Sequence, residues 1–270
     1  RTRTVQIAVQ GNRLNMRVLA TYNIKGGVGK TTSAVNLAYA AAREGQRVLV
    51  WDLDAQGAAS FYFRIKPKIK GGFKKLLNFK RKLADAIKET NYPNIDLVPA
   101  DFKNRNLDVM LADSKHSQQR LSDMLRTVAT EYDFVILDCP PSLSMTTENV
   151  FLAADGLLIP LIPTYLSIRA YKQLQVFQKD RNNHQLLLMP FFSMVDKRRR
   201  LHCDLVEGFY QQHPEVMKIF ISYSSVVEQM GRYRAPVQAF AASTPAAKAF
   251  FLLWHEIKKR LDKSAKKLSQ

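Results

Sequence analysis

Short apolar runs of strand length alternate with stretches of helical period along most of this 270-residue chain. That rhythm belongs to an α/β domain built on a mainly parallel sheet. Residues 17–23, RVLATYN, predict a buried first strand that runs into a glycine-rich loop. KTTSAVNLAYAAAREG follows with amphipathic helical spacing, and Gly45 is placed to cap it. Further strands are predicted in RVLVWDLD, NIDLVPA, DFVILDCP, GLLIPLIP and HQLLLMPFFSMVD, and further helices in SQQRLSDMLRTVATEY and SIRAYKQLQVFQKD. The last helix, TPAAKAFFLLWHEIKKRLDKS, has Pro245 near its start and apolar positions at helix period. The expected architecture is three-layered, a twisted and mainly parallel sheet flanked by helices.

One stretch breaks the rhythm. Residues 63–90, FRIKPKIKGGFKKLLNFKRKLADAIKET, are strongly basic with aromatics interleaved, and read as one or two exposed helices around a flexible Gly71-Gly72 joint. Neither an internal repeat nor a low-complexity linker interrupts the chain, so residues 16–262 are expected to form a single domain. Residues 263–270 read as a polar tail. Residues 1–15 read as an appended remnant or an edge extension, with the remnant favoured.

Composition narrows the function. With 46% hydrophobic and 24% charged residues the chain has a globular balance, and no apolar run approaches the roughly 20 residues that span a bilayer. The two cysteines, Cys139 and Cys203, suit neither a disulfide framework nor a zinc site and favour a reducing cytoplasm. The net charge of +18 is the larger signal. It exceeds the roughly 2 to 8 that keeps a small domain in solution, and points to a polyanionic partner, nucleic acid or an anionic membrane.

The candidate chemistry begins at NIKGGVGKTT, residues 23–32. A phosphate-binding loop requires Gly, four residues, Gly-Lys, then Ser or Thr, between a strand and a helix. Gly29, Lys30 and Thr31 fit, but Ile24 occupies the place of the first glycine, and Lys25, Gly26 and Gly27 follow it. Glycines let successive N–H groups converge on phosphate oxygens, and the helix start adds its positive dipole end. The candidate nucleotide site therefore comprises Lys25, Gly26, Gly27, Val28, Gly29, Lys30, Thr31 and Thr32. Lys30 is expected to neutralise the β- and γ-phosphates of ATP, and the Thr31 hydroxyl to ligate Mg²⁺.

Two strand ends supply carboxylates. The apolar strand in DFVILDCP ends on Asp138, placed to hold Mg²⁺. In VWDLDAQG, Asp52 and Asp54 lie two apart and share one face if the strand continues through both. Asp54, last before the loop, is the better candidate to orient or deprotonate the attacking water, with Asp52 supporting the magnesium shell.

The order and spacing of KGGVGKTT, VLVWDLDAQG and YDFVILDCPPSLS resemble the ParA/Soj branch of the deviant Walker ATPases, which also contains MinD. The resemblance continues through LVPAD, AADGLLIPLIPTYLSIRAY and TPAAKAF, from Met16 to about Leu261. It implies that Lys25 is the signature lysine that reaches the ATP of a partner subunit, making a homodimer ATP-dependent and assisting catalysis with Lys30 and Asp54. One departure is Ala55, where the family usually has proline.

The resemblance also implies non-specific duplex DNA binding and nucleoid association. Arg198, within DKRRRL, matches a DNA position of relatives, flanked by Lys197, Arg199 and Arg200. A second such position falls near Val226, with Arg232 and Arg234 close by as substitutes, and Lys258, Lys259 and Arg260 are expected to complete the patch. A ParB-like or cargo adaptor protein is the implied stimulator of hydrolysis. The main alternative is a MinD-like membrane switch, for which Phe251, Trp254, Ile257 and Leu261 offer an apolar helix face. It is disfavoured because that helix is needed in the core. A cluster-bearing reductase or a small-molecule synthetase is a further alternative.

Overall fold

The computed structural model describes residues 16–101, 111, 119–180 and 186–268. Residues 1–15 and the end of the expected polar tail lie outside them. Seven strands form one sheet: β1 (Arg17–Thr21), β2 (Val48–Asp52), β3 (Lys88–Glu89), β4 (Ile95–Val98), β5 (Phe134–Asp138), β6 (Gly156–Leu161) and β7 (Leu187–Phe192). Their spatial order is β3-β4-β2-β5-β1-β6-β7, and every pair is parallel except the short antiparallel edge β3 against β4. The described helices are α1 (Lys30–Arg43), α2 (Ala58–Tyr62), α3 (Phe73–Leu77), α4 (Arg120–Arg126), α5 (Met145–Ala153), α6 (Tyr165–Asp180) and α7 (Arg200–Gln212). Three single turns follow, α8 (Ser225–Glu228), α9 (Met230–Tyr233) and α10 (Val237–Phe240), and then the long α11 (Pro245–Leu268).

Strand residues alternate between two cores, as the two-residue period requires. Leu19, Val48, Val50, Phe134 and Ile136 pack against Ala34, Leu37, Phe250 and Trp254 of α1 and α11. Val18, Leu49, Trp51, Val135 and Leu137 face the opposite core with Met124 of α4, Val150 of α5, Tyr171 of α6 and Phe209 of α7. The result is the expected three-layered α/β sandwich. Because both faces are covered, the strands read as nearly unbroken apolar runs.

Two expectations need correction. Residues 63–90 are not simply exposed helices: Ile69, Phe73, Leu76, Leu77, Leu83 and Ala86 are buried in the second core, and only α3 and one 3-10 turn at Ala84–Ala86 are helical. The Gly71-Gly72 joint is a turn with positive φ at both residues. The last helix continues to Leu268, so most of the expected tail extends α11.

β1 lies between β5 and β6, the point from which the chain winds outward in both directions. In open α/β sheets, ligands bind in the crevice at the carboxyl ends of the strands at such a switch point. The glycine loop opens there.

Candidate functional site

β1 hands the chain directly to the loop, and α1 begins at Lys30. Gly27 and Gly29 have φ of 69° and 94°, a left-handed backbone that other residues adopt only at a cost. Gly29 is doubly constrained, because a Cβ there would stand 2.9 Å from the Ser193 hydroxyl. Asn23 fixes the loop entrance: its side chain donates to the Pro160 carbonyl at 2.8 Å and accepts from the Lys25 N–H at 2.9 Å. The Lys30 ammonium donates to the Lys25 carbonyl at 3.2 Å, which folds the loop over that side chain. Lys30 is buried, and burial pulls its pKa down while the Asp138 charge opposes the shift. Lys25 stays half-exposed, and Ile24 packs its side chain against the core.

The two strand-end carboxylates are neighbours. Asp52 and Asp138 are paired in register on β2 and β5, and both are fully buried. One oxygen of Asp52 accepts from the Ser60 N–H at 2.8 Å and the Ser60 hydroxyl at 2.7 Å. One oxygen of Asp138 accepts from the Thr21 hydroxyl at 3.2 Å. The remaining oxygens, Oδ1 of Asp52 and Oδ2 of Asp138, have no hydrogen-bond partner within 3.5 Å, although at longer range the Asp54 N–H favours the ionised form of Asp52 and the Thr31 hydroxyl that of Asp138. Burial pushes both carboxyls above the ordinary range. The Asp52 charge adds to the Asp138 shift, and the Thr31 hydroxyl works against it.

Buried carboxylate oxygens without partners are costly unless a cation faces them. Among the described residues no group of three acidic, His or Cys side chains forms a ready-made metal cage. Two carboxylates beside a threonine hydroxyl suit Mg²⁺, which keeps waters and takes its other ligands from phosphates.

Asp54 is placed differently from Asp52. β2 ends at Asp52, so strand periodicity does not extend to Asp54. It sits half-exposed in the following turn, where its Oδ1 accepts from the Gln56 N–H at 2.9 Å and its carbonyl from the Gly57 N–H at 2.9 Å. Thr21, Asn23 and Ser60 were not anticipated. Thr21 closes the first strand immediately before the loop, a position that signals a site residue, whereas Ser60 carries no sequence signal.

The basic residues divide. Lys197, Arg198, Arg199 and Arg200 are exposed beyond the carboxyl end of β7. Arg198 chelates Asp196 at 2.9 and 3.0 Å, and Arg200 reaches Asp204 at 3.7 Å. Arg234 lies 4.6 Å over the Phe61 ring and donates to the Phe61 carbonyl at 3.0 Å, while Arg232 stands exposed beside it. Lys258, Lys259 and Arg260 do not join them. Lys258 pairs with Glu44 at 2.7 Å and lines a cavity with Met16, Arg17 and Gln46, at the opposite end of the sheet. Arg260 is held by Glu256 at 2.7 Å and by the Glu215 and Val216 carbonyls. Only Lys259 of the three is exposed.

The apolar face of α11 is core. Trp254, Ile257 and Leu261 are buried, the Trp254 ring meeting Phe134 edge-on at 4.8 Å, and Phe251 is exposed, as is its neighbour Leu252. No helix among the described residues is long and apolar enough to cross a membrane. Cys139 is buried and Cys203 exposed, and neither is in a disulfide.

Comparison with known proteins places the fold in a family. Residues 16–187 match the AAA domain family AAA_31. Over 256 residues the chain is 30% identical to the chromosome partitioning protein ParA of Myxococcus xanthus, covering 90% of this chain and 88% of that one. A cobyrinic acid a,c-diamide synthase from Mycobacterium smegmatis, with bound ADP and magnesium, superimposes with a TM-score of 0.78 at 25% identity over 92% of this chain and 96% of that one. A putative plasmid partition protein from Borrelia burgdorferi, bound to AMPPNP, gives 0.77 at 23% identity over 90% and 99%. The glycine loop at the sheet's switch point and the paired strand-end carboxylates thus have a family setting: the chain belongs to the ParA/MinD superfamily of P-loop ATPases.

Proposed function

We propose that this protein is a partition ATPase: it binds ATP and Mg²⁺ in the glycine loop, pairs with a second copy when loaded, and holds duplex DNA without sequence preference. The observation that carries the nucleotide part is the buried Asp52 and Asp138 pair, each with one unpartnered oxygen, beside Lys30 and Thr31. A divalent cation at those oxygens supplies charge neutralisation for the β- and γ-phosphates.

The chain's own groups do the rest. Successive N–H groups from Gly26 to Thr32 cradle phosphate oxygens, and the α1 dipole favours the negative charge there. Lys30 binds the terminal phosphates. Asp54, free of the strand, orients the attacking water. Lys25, half-exposed at the loop's outer edge, reaches the nucleotide of the partner copy and offsets charge that repels strongly in a dry interface. Hydrolysis releases the pair, and an adaptor of ParB type, carried on a plasmid, a chromosome or a protein assembly, stimulates that step at the nucleoid.

The net charge of +18 favours DNA over the small-molecule chemistry named for the mycobacterial neighbour. The burial of the α11 face disfavours a membrane switch. Light scattering on the purified chain, with magnesium and a non-hydrolysable ATP analogue, is expected to show dimers that Lys25→Ala lacks. Gel shift on plain duplex should show binding by the dimer alone. A chain that stays monomeric with saturating nucleotide refutes the dimer mechanism.

A further inference from the structure

Nearly half of the chain's excess charge sits in one tenth of its length. Residues 63–90 carry ten Lys or Arg against two acidic residues, eight of the eighteen net charges. Arg81 is paired with Asp85 at 3.5 Å, and Arg64, although exposed, is tied across the surface, donating to the Tyr233 carbonyl at 2.8 Å and the Arg234 carbonyl at 3.4 Å. The lysines are not absorbed in this way. Lys66, Lys68, Lys70, Lys74, Lys75 and Lys80 are exposed, and among the described residues none has a carboxylate within 4.0 Å.

These lysines are displayed on a packed backing. Ile65 packs with the core that holds α1 and α11, whereas Ile69, Phe73, Leu76 and Leu77 belong to the opposite core. The chain therefore crosses the carboxyl end of the sheet between Ile65 and Ile69, with Pro67 seated over Gly57 at the end of the β2 loop. Lys66, Lys68 and Lys70 line the outer side of that crossing, at the same end of the sheet as the glycine loop. A run of like charges held this way keeps a repulsion that an anionic ligand relieves.

We infer that residues 66–82 form a binding surface for the phosphate backbone of duplex DNA, continuous with Arg232 and Arg234 and replacing the contribution expected of Lys258 and Arg260. The inference rests on the DNA reading above. Continuity comes from the two Arg64 hydrogen bonds, which dock the start of the segment on residues 233 and 234. A membrane fits less well, because insertion needs exposed bulky apolar groups among the cations. Here Phe73, Leu76, Leu77 and Leu83 are buried, and Phe79, which is exposed, lies 4.6 Å beneath the Arg120 guanidinium. Phosphate contacts need only the cations and carry no base information.

The test compares the intact chain, loaded with a non-hydrolysable ATP analogue, with the triple variant Lys66→Gln, Lys68→Gln, Lys70→Gln on plain duplex across a salt series. Each lysine that meets a phosphate contributes about 0.9 to the slope of log affinity against log salt. The triple variant should flatten that slope by about 2 to 3 and weaken binding about tenfold or more at low salt, with ATP hydrolysis in the absence of DNA unchanged. Lys74→Gln with Lys75→Gln, on the separate α3 turn, should flatten it by about 2 and serves if the triple variant fails to fold. Unchanged slope and affinity in both variants, with binding lost in Arg198→Glu/Arg199→Glu, would overturn this inference and leave the DNA function standing. Absence of duplex binding by the intact chain removes both. Lysine-dependent capture by phosphatidylserine vesicles without duplex binding overturns it in favour of a membrane.

Discussion

The adjacent carboxyls on β2 and β5 should make the nucleotide-free protein less stable as pH rises. Asp52 and Asp138 have no exposed surface, and both carry folded-state pKa values above the ordinary carboxylate range, from burial first; repulsion by the Asp52 charge is the second cause at Asp138, and the Asp54 charge adds to the rise at Asp52. A carboxyl raised on folding binds its proton more tightly in the folded chain than in the unfolded one. Its destabilisation is therefore small below the unfolded pKa of about 3.9, grows as pH rises above it, and levels off past the folded pKa. Burial pushes Asp52 up to about 6 and Asp138 to about 8; even the smaller of these rises costs about 2.7 kcal/mol once the group is ionised, about a third of it already present near pH 4.5.

Asp138→Asn removes that titration while keeping an oxygen for the Thr21 hydroxyl. The stability difference between variant and wild type should widen in the variant's favour by at least about 2 kcal/mol between about pH 4.5 and pH 8, or at least about 4 °C in Tm for a domain of this size. Thermal denaturation without nucleotide, followed by circular dichroism across that range, measures it. A magnesium–ATP analogue should reverse the ranking. Wild type gains about 2.7 kcal/mol at a hundredfold excess over Kd, and the variant loses whatever part of that depends on magnesium. Parallel Tm-against-pH curves for the two proteins would refute the account of a buried, mutually repelling pair.

Lys30→Ala removes a buried cation from the phosphates and, at about 1.5 to 3 kcal/mol per charged hydrogen bond, should lower ATP affinity by at least about tenfold in calorimetry. Asp54→Ala should keep ATP affinity and dimerisation while turnover falls; unchanged turnover assigns the water to another group. Trp254→Ala empties the contact with Phe134 between α11 and the sheet, and should cost about 3 to 5 kcal/mol in denaturant unfolding.

Much of the fold was legible because both faces of the sheet are covered. VLVWD, FVILD and GLLIPL are apolar runs of strand length, and the glycine loop fixed which of them leads to the site. The edge strand Lys88–Glu89 was not legible, since two exposed charged residues carry no strand pattern and pair only through β4. The basic segment misled for a related reason. Its apolar residues are spaced irregularly among lysines, so composition hid the packing of Phe73, Leu76 and Leu77. Charge alone likewise placed Lys258 and Arg260 in the DNA patch, whereas Glu44 and Glu256, distant in the first case and one turn away in the second, claim them. Glycines, acidic strand ends and periodicity are local signals. The partners of a surface cation are set by tertiary structure.

The nucleotide site and the basic surface share their supports. Asp52, with one oxygen left for a cation, spends its other oxygen on Ser60 in α2, and four residues later Arg64 grips residues 233 and 234. From the other side, α1 begins at the phosphate lysine, and Asn36, nearly two turns along, donates to the Thr32 carbonyl at 2.7 Å and accepts from the Val237 N–H at 2.8 Å. Residues 230–237 are thus pinned to α1 through Asn36, to α2 through Arg234, and to the chain just after α2 through Arg64. Any displacement of the α1 start or of Asp52 when a nucleotide binds must be absorbed at those hydrogen bonds or passed to the cations they position. Coupling of this kind needs only two packed arrangements of one rigid unit. The fold places that unit between the phosphates of one ligand and the phosphates of the other.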